Sequence, residues 1–211
     1  MKEKVLVIGA NGAIAQHVIK NLAGNENMNL TLFARKANGL SLKAPNAEIL
    51  QGDVFIKEDL DKAIEGKDVV YANLSGPMDS LAKSIVDTME DKGVKRLIFV
   101  TSLGIYDEIP GKFGEWNNRM IGGALKTYRR AADTIETSEL DYTVVRPSWL
   151  TDKDEVAYET TQKGEPFIGT EVSRKAVAEY ITDLIQHPDK DVKASVGVNK
   201  PGVYGDKPAF Y

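Results

Sequence analysis

Cysteine is absent from the 211 residues, and histidine occurs twice, at His17 and His187. Without cysteine there is no disulfide framework, no thiolate nucleophile and no thiolate-bound zinc or iron–sulfur site. Two histidines so far apart make no His-rich site, so no metal is expected. An excess of one charge is also lacking: 27 Lys+Arg stand against 31 Asp+Glu, a formal net charge of −4. A mildly acidic chain without long basic runs is a poor partner for nucleic acid. No apolar run approaches the ~18 residues of a membrane span. The run near the start, Val5 to Ile8, meets glycine at once and is too short for a signal-peptide core. The expectation is a cytoplasmic protein with no membrane partner and no direct nucleic-acid partner. A hydrophobic content of 42% suits a folded domain, and the length suits a single one over 1–211.

What is present is an alternation of short apolar runs and amphipathic stretches. The runs are Lys4–Gly9, Leu30–Ala34, Glu48–Leu50, Asp68–Leu74, Lys95–Thr101 and Tyr142–Arg146, with Ala194–Val198 as a last strand. Helical spacing covers Ala13–Ala23, Glu58–Ile64, Asp79–Lys92, Asn118–Ser138 and Ser173–Gln186, the fourth with an irregular start at Gly122-Gly123. Strands without alternation are buried on both faces, and each is followed by a crossover long enough to return. The pattern predicts an α/β Rossmann fold, a doubly wound parallel sheet in the order 3-2-1-4-5-6 with room for an extra edge strand. Residues 151–211 are expected to form a small substrate-side cap, including a hairpin at Tyr158–Thr170, and the final helix and strand. Ligands of such sheets bind beyond the C-terminal strand ends.

Gly9-Ala10-Asn11-Gly12-Ala13-Ile14-Ala15 joins the first strand to the first helix. Gly9 permits a sharp turn, Gly12 a close backbone approach, and Ala15 tight helix–strand packing. The amides at the helix start, with those of Ala13 and Ile14, are expected to hold a pyrophosphate. A dinucleotide site selective for NAD carries Asp or Glu after the second strand. Here Arg35 and Lys36 stand there, cations suited to a 2′-phosphate, so NADP(H) is expected over NAD(H). Asp53 and Val54 are expected at the adenine, and Asn73, Leu74 and Ser75 at the ribose. Thr101 and Pro147, at the ends of the fifth and sixth strands, complete the expected cofactor contacts.

GANGAIA at 9–15, Arg35, GDV at 52–54, VTS at 100–102 and DYTVVRP at 141–147 together resemble the atypical short-chain dehydrogenase/reductase superfamily. Within it the chain is most similar to the NAD(P)H-binding, NmrA-like group that includes biliverdin-IX-beta/flavin reductases. The resemblance covers nearly the whole chain and implies dinucleotide binding. It also implies a substrate-orienting serine at Ser102. The family's YxxxK pair falls on Leu125 and Arg129, so the proton-donating tyrosine is replaced and only a cation remains for the ribose. Tyr128 lies one helical step from Arg129, about 100° around the axis. Tyr106, in the loop after the fifth strand, is the alternative proton donor, overhanging the nicotinamide. Asp107 and Glu108 read as exposed.

These residues imply an NADPH-dependent oxidoreductase whose catalytic helpers are Ser102, Tyr106 and Arg129. Its partner is a small-molecule acceptor such as a flavin or quinone, for which solvent supplies the proton. Phe113, Trp116 and Trp149 are expected to form a stacking wall, the first two in a Gly-rich lid around Gly111 and Gly114. The alternatives are a non-catalytic NADP(H) sensor of the NmrA type with a protein partner, and a small-sugar epimerase. A monomer or homodimer is expected. Arg129 and Arg130 read as helix-face ion pairs with Asp133 and Glu136, and His187 as a partner of a helix C-terminus.

Overall fold

The computed structural model describes residues 2–40, 44 and 46–211. Its strands are β1 (Glu3–Ile8), β2 (Met28–Ala34), β3 (Glu48–Gln51), β4 (Val69–Ala72), β5 (Arg96–Val100), β6 (Asp141–Pro147), β7 (Trp149–Thr151), β8 (Glu159–Gln162), β9 (Glu171–Ser173) and β10 (Ala194–Asn199). Its helices are α1 (Ala13–Leu22), α2 (Lys57–Ile64), α3 (Met78–Lys92), α4 (Gly111–Glu136) and α5 (Arg174–Gln186). The main sheet runs β3-β2-β1-β4-β5-β6-β10-β8, so the expected order is present and extended by two strands. All its pairings are parallel except β8 with β10. β7 and β9 form a separate parallel pair.

Alternate residues of each strand point to opposite faces, which is why runs such as Val5–Ile8 are apolar throughout. Val5, Val7, Ile98, Val145 and Val196 face α1 and α5, meeting Ile14, Val18, Val177 and Ile181. Leu6, Ile8, Val70, Leu97, Phe99 and Val144 face the other way, against Leu60 of α2, Ile85 and Met89 of α3, and Ile135 of α4. Gly93 ends α3 in the left-handed conformation, the usual stop for a helix without a further apolar turn. Among the described residues no helix is long and apolar enough to cross a membrane.

Three expectations fail. α4 begins at Gly111, not Asn118, and runs through Gly122-Gly123 without a break. Phe113, Trp116 and Asn117 form its buried stripe, and the polar Asn117 hides that stripe in the sequence. Gly111 and Gly114 therefore belong to a helix, not a lid. A Cβ on Gly114 would stand 2.1 Å from the Ile109 carbonyl oxygen, so glycine there serves close approach rather than motion. Nor is 158–170 a hairpin. β8 pairs with β10, and Gly169 bridges to Tyr204. Pro166, which has no amide proton, stands where a returning strand would need donors.

Candidate functional site

The first turn is shaped by what touches it. Gly9 has φ +79°, and a Cβ there would lie 2.1 Å from the Asn73 carbonyl oxygen. A Cβ on Gly12 would lie 1.9 Å from Asn73 Nδ2. Asn73 itself is fixed by its amide, which donates to the Ile8 carbonyl at 2.9 Å. β4 thus presses its following loop into the turn at the point where the sheet order reverses. Gly12 is the N-cap of α1, no side chain caps the helix, and no acid lies in its first turn. Its first amides face outward with the positive end of the helix dipole, a place suited to an anion.

A cleft of about 730 Å³ opens above this turn. Gly9, Asn11 and Gly12, Arg35 and Lys36 after β2, Asp53 and Val54 after β3, and Asn73, Leu74 and Ser75 after β4 all line it. Asn11 Nδ2 donates to the Lys36 carbonyl at 2.6 Å and joins the turn to the basic loop. Arg35 and Lys36 are exposed, and among the described residues neither has a carboxylate partner. The Asp53 carboxylate accepts from the Phe55 amide at 3.0 Å through Oδ1. The Asp53 amide in turn donates to Asp59 Oδ2 at 3.0 Å. Phe33, Phe55, Pro77 and Leu81 also line the cleft and were not expected there. Phe55 is 53% exposed, an aromatic ring left in the open directly after the GDV motif. That position was the available signal.

Four of the expected cofactor contacts lie outside this lining. Ala13 is exposed on α1, and the Ile14 side chain is buried in the core, which leaves only its amide for a phosphate. Thr101 is buried with Oγ1 donating to the Val145 carbonyl at 3.1 Å. Pro147 is buried in β6, its carbonyl accepting from the Leu103 amide at 3.2 Å. Thr101 and Pro147 thus tie β5 to β6 just below the strand ends.

The catalytic expectations separate at this end. Ser102 follows β5, half-buried, its Oγ donating to the Leu103 carbonyl at 3.2 Å. Tyr106 does not overhang the strand ends. Its phenol donates to Glu136 Oε1 at 2.6 Å and meets Ser195 Oγ at 3.0 Å. Ser195 is level with Val144, and Val144 with Phe99, three residues before Ser102. The phenol therefore points about 10 Å back along the sheet. Burial, reinforced by the Glu136 bond, pushes its pKa well above the ordinary tyrosine range. Arg129 does not face the cleft either. Its Nε donates to Asp133 at 2.8 Å and Nη1 to the Ile105 carbonyl at 3.4 Å, with the guanidinium 5.0 Å from the Tyr106 ring centre. Arg130 pairs across to Asp79 of α3 at 2.7 Å. Leu125 is core, and burial raises the pKa of the half-buried Tyr128.

Glu108, expected at the surface, has a side chain 5% exposed and pairs with the wholly buried Arg146 at 2.5 Å. The same carboxylate accepts from the amides of Gly104 and Tyr106 at 3.0 and 2.9 Å. Arg146 also donates to Ser195 Oγ at 3.1 Å and to the carbonyls of Ser195 and Thr161 at 3.2 and 3.3 Å. This network folds the 103–108 loop down onto the sheet and explains where Tyr106 goes. Above it the three expected aromatics meet. Trp116 lies 4.8 Å from Trp149 and 6.2 Å from Phe113, ring centre to ring centre. The Trp149 indole N–H donates to Asn117 Oδ1 at 2.9 Å. Tyr211, 64 residues beyond Pro147 and not expected here, touches both tryptophans.

A family described as NAD(P)H-binding matches residues 9–188. The chain is 45% identical to a Rossmann-fold NAD(P)-binding family protein from Shigella flexneri, with all of both chains covered and a TM-score of 0.85. It is 28% identical to a short-chain dehydrogenase/reductase from Veillonella parvula solved in complex with NADP, again over all of both chains, with a TM-score of 0.89. Among curated proteins it is 27% identical to the uncharacterized sugar epimerase YhfK of Bacillus subtilis, over 90% of this chain and 92% of that one.

Proposed function

The chain belongs to the NAD(P)H-binding family, and from that premise we propose an NADPH-dependent oxidoreductase acting on a flavin, quinone or similar small acceptor. It fits the atypical short-chain dehydrogenase/reductase, NmrA-like group that its motifs resemble. The cofactor preference rests on one observation: two exposed cations, Arg35 and Lys36, with no carboxylate partner among the described residues, stand at the tip of β2 on the lining of the cleft. The uncapped first turn of α1 would hold the pyrophosphate, Arg35 and Lys36 the 2′-phosphate, and Asp53 the adenine amino group. When bound, NADPH supplies a hydride, and with one proton from solvent the acceptor becomes its two-electron-reduced form, leaving NADP⁺.

The residues at the other end suit this chemistry. Ser102 Oγ, half-buried beside the strand ends, can donate to an acceptor carbonyl. Leu125 and the turned-away Tyr106 offer no proton to an alkoxide, and a flavin or quinone needs none from the protein. The small-sugar epimerase reading, suggested by the name of the Bacillus relative, lacks a donor for the same reason. That lack favours one further reading, an NADP(H) sensor that binds the dinucleotide without turnover and reports to a protein partner.

Calorimetry with NADPH and NADH, on the wild type and on Arg35→Glu, tests the cofactor. A preference for NADPH is expected in the wild type and its loss or reversal in the variant. Equal affinities in the wild type would remove the basis for NADP(H). NADPH oxidation with FMN, riboflavin and menadione tests the reaction. Tight binding without turnover across the panel would leave the sensor.

A further inference from the structure

We propose that the Trp116–Trp149 pair is the platform on which the acceptor stacks, that it takes a planar conjugated ring, and that Tyr211 covers it until the acceptor displaces it. The proposal deepens the reductase reading and rests on it. Leu103, next to Ser102, packs in one cluster with Phe113, Trp116, Phe167, Ile109 and Trp149. Its amide is bonded to the Pro147 carbonyl at the end of β6. The cluster therefore sits on the C-terminal ends of β5 and β6, where a doubly wound sheet presents its reacting groups.

The platform is held rigid from below. Asn117 is wholly buried on α4, and its Oδ1 accepts the Trp149 indole N–H at 2.9 Å. Trp116 is the preceding residue of the same helix and is 9% exposed. Rings fixed in this way lose little freedom when a ligand stacks on them. The two indoles offer broad apolar ring faces, which suit stacking by a flat conjugated ring.

The cover is held differently. Tyr211 meets Trp116 and Trp149 at 64° and 79°, edge to face, at 5.1 and 5.2 Å. It is 50% exposed, whereas Phe113 and Phe167 are buried core. The segment is anchored at Val203 and Tyr204 by bonds to Thr170 and Gly169. Beyond Tyr204, among the described residues, two polar contacts tie it down. The Ala209 amide donates to Glu171 Oε2 at 3.2 Å, and Lys112 pairs with Asp206 at 3.5 Å on the exposed surface. Tyr211 lies past both, its amide bonded within the segment to the Pro208 carbonyl at 3.2 Å and its ring 5.3 Å from that of Phe210, so the ring can leave the indoles while the anchors remain. A site open for part of the time binds with an affinity reduced by that fraction.

Trp116 and Trp149 are the two tryptophans of the chain, so its indole fluorescence reports on the platform. The test titrates oxidised riboflavin and menadione into the NADP⁺-loaded protein, with free tryptophan titrated in parallel to correct for light absorbed by the acceptor. Saturable quenching stronger than that of free tryptophan is expected. Tyr211→Ala should tighten that binding and lower the acceptor KM by about three- to tenfold, the worth of a displaced ring contact. Tyr211→Phe should behave as the wild type. Thermal melting of both variants checks the fold, and NADPH affinity should not move. Turnover without saturable quenching, or an unchanged acceptor affinity in Tyr211→Ala, would overturn the proposal and leave the reductase reading standing. Quenching with the expected variant effects but no turnover would support the platform as a binding site and remove the reductase reading. Neither quenching nor turnover would overturn both.

Discussion

The first-turn end of the site and the β5–β6 end sit on the same edge of one sheet and are built by opposite means. At the first turn the side chains that face the cleft have bonding capacity to spare. Arg35 and Lys36 are exposed and, among the described residues, without carboxylate partners, and α1 starts with no side-chain cap. Behind the β5–β6 end, a buried network uses its polar groups on one another. Glu108, Arg146, Ser195 and Tyr106 form a closed ring of hydrogen bonds, with Glu136 on the Tyr106 phenol and Arg129 over its ring. A surface with spare donors waits for an anion, whereas a closed network holds a shape. Under the proposed function, the contrast divides the work: the dinucleotide's phosphates are gripped at one end, and the acceptor is positioned at the other.

Four substitutions press on that contrast. Arg146→Met leaves the Glu108 carboxylate buried and unpaired, and it should cost about 3–5 kcal/mol of stability in urea unfolding. A loss below about 1 kcal/mol would mean the network does not hold the loop. Gly9→Val drives a branched side chain into the Asn73 carbonyl at φ +79°. NADPH affinity by calorimetry should fall at least about 100-fold, near 2.7 kcal/mol. A threefold effect would separate the turn from the phosphates. Ser102→Ala removes the half-buried hydroxyl beside the strand ends. It should lower kcat/KM for the acceptor about tenfold, near 1.4 kcal/mol, with NADPH binding kept. Arg129→Gln breaks an exposed pair with Asp133 and should shift stability by less than about 1 kcal/mol. A tenfold loss of NADPH affinity there would return Arg129 to the ribose.

The same contrast explains what was legible in the sequence. The sheet order could be read because each strand and the helix after it are contiguous and carry their own apolar pattern. The cleft could be read for the same reason: Gly9, Arg35, Asp53 and Asn73 each closely follow a strand, and parallel strands bring their ends together. Tyr106 could not be placed, because its partners lie 30 and 89 residues away. Glu108 looked solvated beside Asp107, yet its counter-charge is 38 residues downstream, near the end of β6. Asn117 concealed the buried stripe of α4, since a polar residue in a stripe reads as a break unless its partner, the Trp149 indole, is known. Glycine misled in the same region. Gly114 marks contact with Ile109, and spacing alone does not separate contact from mobility.

Asn73 leaves no space for a Cβ at Gly9 or at Gly12, with gaps of 2.1 and 1.9 Å. The turn and the wedge that fills it come from parts of the chain more than sixty residues apart. The two glycines are held by different parts of that residue: the backbone of 73 bars a side chain at 9 whatever residue stands there, and the asparagine amide bars one at 12. The shape of the turn is thus complete only where β4 lies paired beside β1, so the anion cradle is a property of the assembled sheet and not of the glycine segment by itself.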